Sequence, residues 1–258
     1  MKLLNNGLVS FFPRAMKRCA GEFNKRMLRV ITHVKTREKI IALTFDDGPH
    51  PIFTPLILDI LEKYNARATF FVVGSSAVSS KDIMKRTVLS GHEIGNHSWS
   101  HVSFPLISSR KRMEEINLCD EAIYPFISNI FRPPYGHFNA CCSIDLLSKK
   151  RKVIGWNVAA EDWKGLKAKI MFEYVTKKIH NGSILLMHDS LNTYEKKEYE
   201  SRYETCRMLE MILQIIGKEY RFVTVSELLK YGKPVLSDWR RKADPAWISG
   251  LHKAAAGR

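Results

Sequence analysis

The chain lacks a disulfide framework. Its five cysteines, Cys19, Cys119, Cys141, Cys142 and Cys206, are odd in number and none forms a C-x-x-C pair. That usage predicts free thiols in a reducing compartment. Long apolar runs are missing as well. The early run Leu8-Val9-Ser10-Phe11-Phe12 is cut off by Pro13-Arg14, short of the ~7–15 residue apolar core of a signal peptide. No later stretch approaches the ~18–20 apolar residues needed to cross a bilayer. A cytoplasmic protein is therefore expected. Acidic residues are scarce at the two ends: residues 1–40 hold ten Lys/Arg against two acids, and residues 230–258 hold seven against two. The remainder carries 24 against 22, so most of the formal charge of +15 sits in the tails. A near-neutral centre excludes a nucleic-acid groove built through the fold, and no helix-turn-helix, finger or RNA-binding signature is present. Polyanion binding through the tails alone would vanish with salt.

What is present is alternation. Ile40–Phe45 is a short β-branched and aromatic run that stops at Gly48-Pro49, as a buried strand ending in a turn does. Thr54-Pro55 then reads as an N-cap and first helical residue, with Leu56, Ile57, Ile60, Leu61 and Tyr64 at helical spacing. A strand follows over 68–74. Further helices are expected at 79–90, 109–122, 144–149, 168–179 and 204–216, with a short one at 227–231 capped by Ser226. They lead into strands near 92–97, 130–132, 153–158, 183–188 and 222–225. Strands alternating with helices through about seven repeats predict a parallel sheet closed into a barrel rather than left open, and 258 residues suit one domain.

The flanks differ from this core. From Phe12 to Ile31 the apolar residues Phe12, Met16, Cys19, Phe23, Met27 and Val30 recur at steps of three and four, opposite Arg14, Lys17, Arg18, Lys25, Arg26 and Arg29. The pattern predicts a basic amphipathic helix, which would pack on the barrel or lie on an anionic membrane face. Beyond Lys233 the periodicity fades into a basic tail. The expected organisation is an extension over 1–37, a catalytic domain over 38–231 and a tail over 232–258.

Four polar clusters each follow a strand, and in an α/β barrel that rim is where sites form. Asp46 and Asp47 adjoin at the end of the first strand, where two side chains can face different partners. His97 and His101, in His97-Ser98-Trp99-Ser100-His101, stand one helical turn apart and could reach a common point. Two histidines and a carboxylate suit a divalent metal with coordination positions left open. Arg132-Pro133-Pro134-Tyr135-Gly136 offers an arginine on a stiff backbone that can orient a carboxylate, or a rigid loop with a surface arginine. Leu185-Leu186-Met187-His188-Asp189 ends in a histidine that can serve as a general acid or as a structural residue.

Taken in order, TFDDGP, HSWSH, RPPYG and LLMH resemble the motifs of the polysaccharide deacetylase family, also called the NodB homology domain or carbohydrate esterase family 4. The resemblance covers about residues 38–231. It implies a distorted (β/α)7-type barrel that removes N-acyl groups, mostly acetyl, from N-acetylhexosamines with a divalent metal: zinc, with cobalt or manganese as alternatives. It further implies Asp47, His97 and His101 as metal ligands, Asp46 as general base and Arg132 as the residue that orients it. The Tyr135 backbone N–H would hold the oxyanion, His188 would protonate the leaving amine, and Trp163 and Leu186 would line the acyl pocket. The family's fourth motif is usually D-x-x-D-W, and here it reads Ala159-Ala160-Glu161-Asp162-Trp163. The first aspartate is implied to tune the catalytic histidine, so its absence leaves Asp162, Glu161 or Asp189 as partners for His188. The expected substrate is an N-acetylated amino sugar in a glycan, a glycoside or a lipid-linked form. A lipid-linked sugar deacylase or deformylase at the inner membrane face and a weakened sugar-binding module are the alternatives.

Overall fold

The computed structural model describes residues 29–239 and 243–249. Its strands are β1 Arg29–Lys35, β2 Ile40–Asp46, β3 Thr69–Val72, β4 Glu93–Asn96, β5 Ile127–Phe131, β6 Lys152–Val153, β7 Val158–Ala159, β8 Ile184–His188, β9 Arg221–Val223 and β10 Lys233–Asp238. The helices between them are α1 Phe53–Lys63, α2 Gly74–Val78, α3 Lys81–Leu89, α4 Ser109–Ile123, α5 Ala140–Ser148, α6 Ala168–Thr176, α7 Tyr203–Ile215 and α8 Val225–Leu228.

The barrel strands pair in the order β6-β5-β4-β3-β2-β8-β7, all parallel, as expected for a distorted (β/α)7-type barrel. Strand β2 is the hub. Its residues Thr44–Asp46 pair with β3, Ala42–Asp46 pair with β8, and Ile40–Ala42 pair with β9, which occupies the part of the edge that β3 leaves free. The side chains of β2 alternate between faces. Ile41, Leu43 and Phe45 join Ile57, Leu61 and Leu209 in the layer between sheet and helices. Ile40 and Ala42 join Phe71, Ile130 and Ile184 on the other face. Period two therefore puts Thr44 and Asp46 on the same inner face as Ile40 and Ala42, at the carboxyl end of the central strand.

The sheet is open between β6 and β7, and the flanks bridge the opening. Strand β1 pairs antiparallel with β10, bridges to Ile154 and Ser183, and buries Val34 against the inner cluster that holds Ile154 and Ile184. Two expectations are corrected here. The helix expected over Phe12–Ile31 does not include Arg29–Ile31, which belong to strand β1; residues 12–28 lie outside the described residues. The tail expected to be patternless beyond Lys233 supplies β10.

Other local expectations also shift. The strand expected over 153–158 splits into β6 and β7, because Gly155 turns away to donate its N–H to Ile31 O and to accept from Arg132 Nη2. Thr54 lies inside α1 rather than capping it; its hydroxyl accepts from the His50 N–H and donates to Asp189. The cap of α8 is Thr224, whose hydroxyl accepts from the Glu227 N–H, while Ser226 donates to Glu93. The four cysteines among the described residues are free. Among those residues no helix is long and apolar enough to cross a membrane.

If β1 belongs to the cooperative core, Val34→Ala removes fully buried methyls and should lower stability by roughly 1–3 kcal/mol. Urea unfolding followed by far-UV circular dichroism reads this directly. An unchanged midpoint would show that the flank is an appendage.

Candidate active site

Asp46, Asp47, His97, His101, Arg132 and His188 all lie at or just beyond the carboxyl ends of β2, β4, β5 and β8. They were picked from separate segments, and the fold brings them to one rim. The fully buried Arg132 organises that rim. Its Nη1 donates to Asp46 Oδ1 at 2.7 Å and to Thr44 Oγ1 at 2.8 Å. Its Nε and Nη2 donate to Ile154 O and Gly155 O. Its plane lies 4.1 Å from the Phe71 ring centroid, a cation–π contact in a dry setting. The surface-arginine reading fails, because this side chain has no exposure at all.

Beside Asp46, Asp47 turns the backbone with φ 76°, so its carboxylate faces the two histidines. Asp47 Oδ1 lies 3.4 Å from His97 Nε2 and 3.1 Å from His101 Nε2. The potential ligand atoms of Asp47, His97 and His101 all fall within 4.8 Å of one another, and all three residues are buried. His97 and His101 do not sit on a helical turn as their spacing suggested. Ser98 and His101 have φ of 69° and 54°, and the loop is tied by Ser98 N–H to Asn96 Oδ1 and by His101 N–H to Ser98 Oγ. Such left-handed residues are sparse outside glycine and concentrate where a site over-determines them.

This donor set fits a divalent metal. His97 Nδ1 lies 2.7 Å from the Arg132 carbonyl, which can only accept, so Nδ1 carries the proton and Nε2 is left as the donor facing Asp47. Asp47 Oδ2 accepts from the Asn192 N–H, leaving Oδ1 for the cluster. Burial opposes ionisation of Asp47, yet the His101 and His97 imidazoles hold its carboxyl well below the usual range. Burial also lowers His101, favouring the neutral imidazole that metal binding requires.

His188 closes the rim from β8. Its Nδ1 lies 2.8 Å from Asp162 Oδ1, and its backbone N–H donates to Asp162 Oδ2 at 2.9 Å. The partner is therefore Asp162, the second aspartate position of the fourth motif, and the expectation that the first position tunes this histidine is corrected. Glu161 turns away to pair with Lys164. Asp189 points behind the site, accepting from Gly48 N–H and Thr54 Oγ1, and burial pushes its carboxyl up to about 7. Gly48 is required there, since a Cβ would stand 2.0 Å from Asp189 Oδ2. Burial alone would lower His188, but Asp162 outweighs it and pushes the imidazole up to about 9.

Several participants carried no sequence signal. Thr205 Oγ1 and Arg202 Nη1 both donate to Asp162, and Arg202 also donates to Tyr199 O. Asn192 holds Asp47, and Thr44 shares Arg132 with Asp46. Asn192, Arg202 and Thr205 are single polar residues in loops or a helix start, where composition alone distinguishes nothing, while Thr44 lies inside β2. Five of the six rim residues open onto a cavity of about 690 Å³, lined also by Tyr135, Trp163, Leu186, Tyr199 and Trp247, with the sixth, Arg132, buried beneath. Trp163 stands edge-on to His188 at 5.4 Å, and Tyr135 has φ 58° within the turn Pro134–Gly136.

Comparison with known proteins now bears on this geometry. The polysaccharide deacetylase family model matches residues 33–147. A peptidoglycan-N-acetylglucosamine deacetylase of Bacillus cereus is 36% identical over 212 residues, covering 78% of this chain and 93% of that protein. The chain belongs to the polysaccharide deacetylase family. With that family it joins the carbohydrate deacetylases, a class of hydrolases. A chitooligosaccharide deacetylase of Sinorhizobium fredii is 32% identical over 63% of this chain and 77% of that one. The chain spans about half the length of the peptidoglycan deacetylase PgdA of Listeria monocytogenes, matching 48% of it at 35% identity. Among solved structures, the Bc1960 peptidoglycan N-acetylglucosamine deacetylase superposes with a TM-score of 0.71 at 29% identity, over 79% of this chain and 94% of that one.

Two outcomes follow from the buried contacts. Arg132→Ala strands the Asp46 carboxylate, and urea unfolding should show a loss of about 3–5 kcal/mol; a loss below about 1 kcal/mol would mean that Asp46 finds another partner. In metal-free protein, NMR titration of His188 should give a midpoint near 9, and Asp162→Asn should bring it down toward 6.5 or below, where burial dominates. Because the folded value is raised, the stability this pair contributes is complete below 6.5 and is lost as the pH climbs through about 9. A midpoint unmoved by the substitution would sink the assignment of Asp162.

Proposed function

We propose that this protein hydrolyses the N-acetyl amide of an amino sugar, releasing acetate and a free amine. The observation that carries the reading is the separation of two environments on one rim. Asp46 is ion-paired to Arg132 and is placed to accept a proton, while His188 is held protonated by Asp162 and is placed to donate one. A carboxylate held by a guanidinium and an imidazole held by a carboxylate offer a base and an acid on the same rim.

Asp47, His97 and His101 would hold a divalent cation, whose Lewis acidity would serve the attacking water and the amide carbonyl. Asp46 takes a proton from that water as its oxygen bonds to the carbonyl carbon. Arg132 keeps Asp46 Oδ1 fixed, so the remaining carboxylate oxygen serves as base. The Tyr135 backbone N–H donates to the oxygen on which negative charge develops. His188, with Nδ1 engaged by Asp162, has Nε2 left to protonate the departing nitrogen as the carbon–nitrogen bond breaks. Trp163 and Leu186 line the cavity where an acetyl methyl would sit. Relatives named as deacetylases of peptidoglycan and chitooligosaccharides support an N-acetylglucosamine-containing glycan as the substrate class. Zinc is the cation proposed, since a two-imidazole, one-carboxylate set is suited to it.

Family membership alone does not guarantee turnover. BA3943 of Bacillus anthracis, similar in fold with a TM-score of 0.68 at 25% identity over 83% of this chain and 72% of that one, is described as a pseudoenzyme. Here the proposed ligands, base, acid and acid partner are all present, which favours an active enzyme over a sugar-binding module despite Ala159.

Acetate release from free, oligomeric and lipid-linked N-acetylglucosaminyl compounds tests the proposal. Release should require zinc, stop with a chelator, and fall by at least about 10²-fold in Asp46→Asn, the scale of losing a general base. Asp46→Asn should still bind the metal, whereas His101→Ala should not, as isothermal titration calorimetry would read. Full release by Asp46→Asn would overturn the assignment of the base. No release from any compound by metal-loaded protein would overturn the reaction itself.

A further inference from the structure

The sequence reading left the residues beyond Lys233 as a featureless basic tail, yet the structure lays this segment along the cavity. Strand β10 delivers the chain to Trp239, whose Nε1 donates to Gly136 O at 2.7 Å. The Trp239 ring meets Trp156 edge-on at 4.8 Å, and a Cβ on Gly155 would lie 3.0 Å from it. The tail is thereby fastened to the same Pro134–Gly136 turn that presents the Tyr135 N–H.

A second tryptophan then reaches the cavity itself. Residues 245–249 form one helical turn, with Asp244 Oδ1 accepting the N–H groups of Ala246 and Trp247 and Asp244 O accepting that of Ile248. Pro245 occupies the first helical position, where a missing N–H is harmless. Ile248 is buried at 7% exposure, while its neighbour Trp247 is 45% exposed and lines the cavity. The apolar anchor of this turn is thus Ile248, and the large ring beside it is held out of the core. An exposed tryptophan on a capped turn at the mouth of a site has the composition of a recognition element.

Its position fixes what it could recognise. Trp247 stands 5.9 Å from Tyr135 and 6.4 Å from His137, and Tyr135 in turn stands 4.4 Å from His101, all between ring centroids. The Tyr135 ring thus adjoins both His101 and Trp247, and among the described residues the ring contacts of Trp247 are to Tyr135 and His137 rather than to the proposed ligands. Trp247 can meet a group joined to the reacting sugar. Its two ring contacts among the described residues are both of the edge type, and neither is a parallel stack. Pyranose rings present C–H groups on their faces and hydroxyls at their rims, so they pair with a flat aromatic surface while their edges stay wet.

Resting on the deacetylase reading of the same cavity, we propose that Trp247 forms a second sugar subsite. It stacks on a residue adjoining the reacting N-acetylhexosamine and makes the enzyme prefer oligomeric glycans to single sugars. The subsite lies beyond residues 33–147, which match the family model, and is assembled by this chain's own C-terminal segment.

The test compares the 258-residue protein with Trp247→Ala and Trp247→Phe, each zinc-loaded, on N-acetylglucosamine oligomers of increasing length. Affinity is measured by isothermal titration calorimetry in the Asp46→Asn background, where ligand is not consumed, and acetate release is followed in parallel. The preference for a tetramer over the monosaccharide should shrink roughly three- to tenfold in Trp247→Ala, through binding and KM, with most of it retained in Trp247→Phe. Circular dichroism of both variants verifies folding, and the phenylalanine variant keeps the comparison valid if alanine disturbs the turn. An unchanged length preference in folded Trp247→Ala overturns the subsite, and a loss in Trp247→Phe as large as that in Trp247→Ala overturns the stacking. A gain in affinity at every length, which would mark Trp247 as an obstruction, also overturns the subsite. If the wild type binds oligomers with this dependence but releases no acetate, the subsite stands and the deacetylase reading falls.

Discussion

The Arg132 guanidinium is the constraint on which the rest of the rim depends. A fully buried cation must be matched by acceptors in fixed directions, and the whole fold supplies them. Asp46 and Thr44 come from β2, Ile154 O and Gly155 O come from the opening between β6 and β7, and the Phe71 ring comes from β3. Its own backbone completes the set: Arg132 N–H donates to Asn96 O, and Arg132 O receives His97 Nδ1. One residue thus sets the orientation of the proposed base and fixes which nitrogen of a proposed metal ligand is free. Burying such a pair costs desolvation that its Coulomb attraction barely returns. Its value lies in geometry, since both catalytic assignments fail if the carboxylate or the imidazole rotates.

The break in the sheet follows from the same requirement. A continuous strand over 153–158 would spend Gly155 O on a ladder bond, and Arg132 would lose an acceptor. The chain instead leaves the sheet there, and β1 fills the opening by receiving the Gly155 N–H on Ile31 O. The β1–β10 pair is in this sense the structural consequence of an arginine buried in the barrel. Since β10 leads on to Trp239 and Trp247, the same accommodation carries the C-terminal segment to the cavity mouth.

Much of this was legible in the sequence, for physical reasons that differ from element to element. The buried run Ile40–Asp46 could be read because a hub strand paired on both edges must be apolar on both faces until its end. The metal set could be read because its chemistry needs particular residue types just past strand ends. Failures occurred where long-range contacts decide. The partner of β1 lies some two hundred residues away, so the helical spacing of residues 12–31 runs on over residues that pair with β10. The His97–His101 loop has the spacing of a helical turn but takes left-handed conformations, because both imidazoles must meet Asp47. Asn192, Arg202 and Thr205 were invisible, since a polar residue reveals its partner only in three dimensions.

Ala159 shows how a motif can lose a member while the histidine keeps a carboxylate partner. Ala159 sits in β7, where the backbone pairs with Leu186, and the chain then bends through left-handed Glu161 and, beyond the short turn, left-handed Gly165. That bend carries Asp162 beneath His188, where its two oxygens accept the imidazole and the backbone N–H of the same residue. Thr205, from α7, donates to that carboxylate, and Arg202, the residue before α7, donates to the Asp162 backbone carbonyl. The carboxyl is held ionised despite full burial because it faces an imidazolium and a guanidinium together. His188 therefore has a buried carboxylate partner although position 159 supplies none, and that partner favours the charged imidazole.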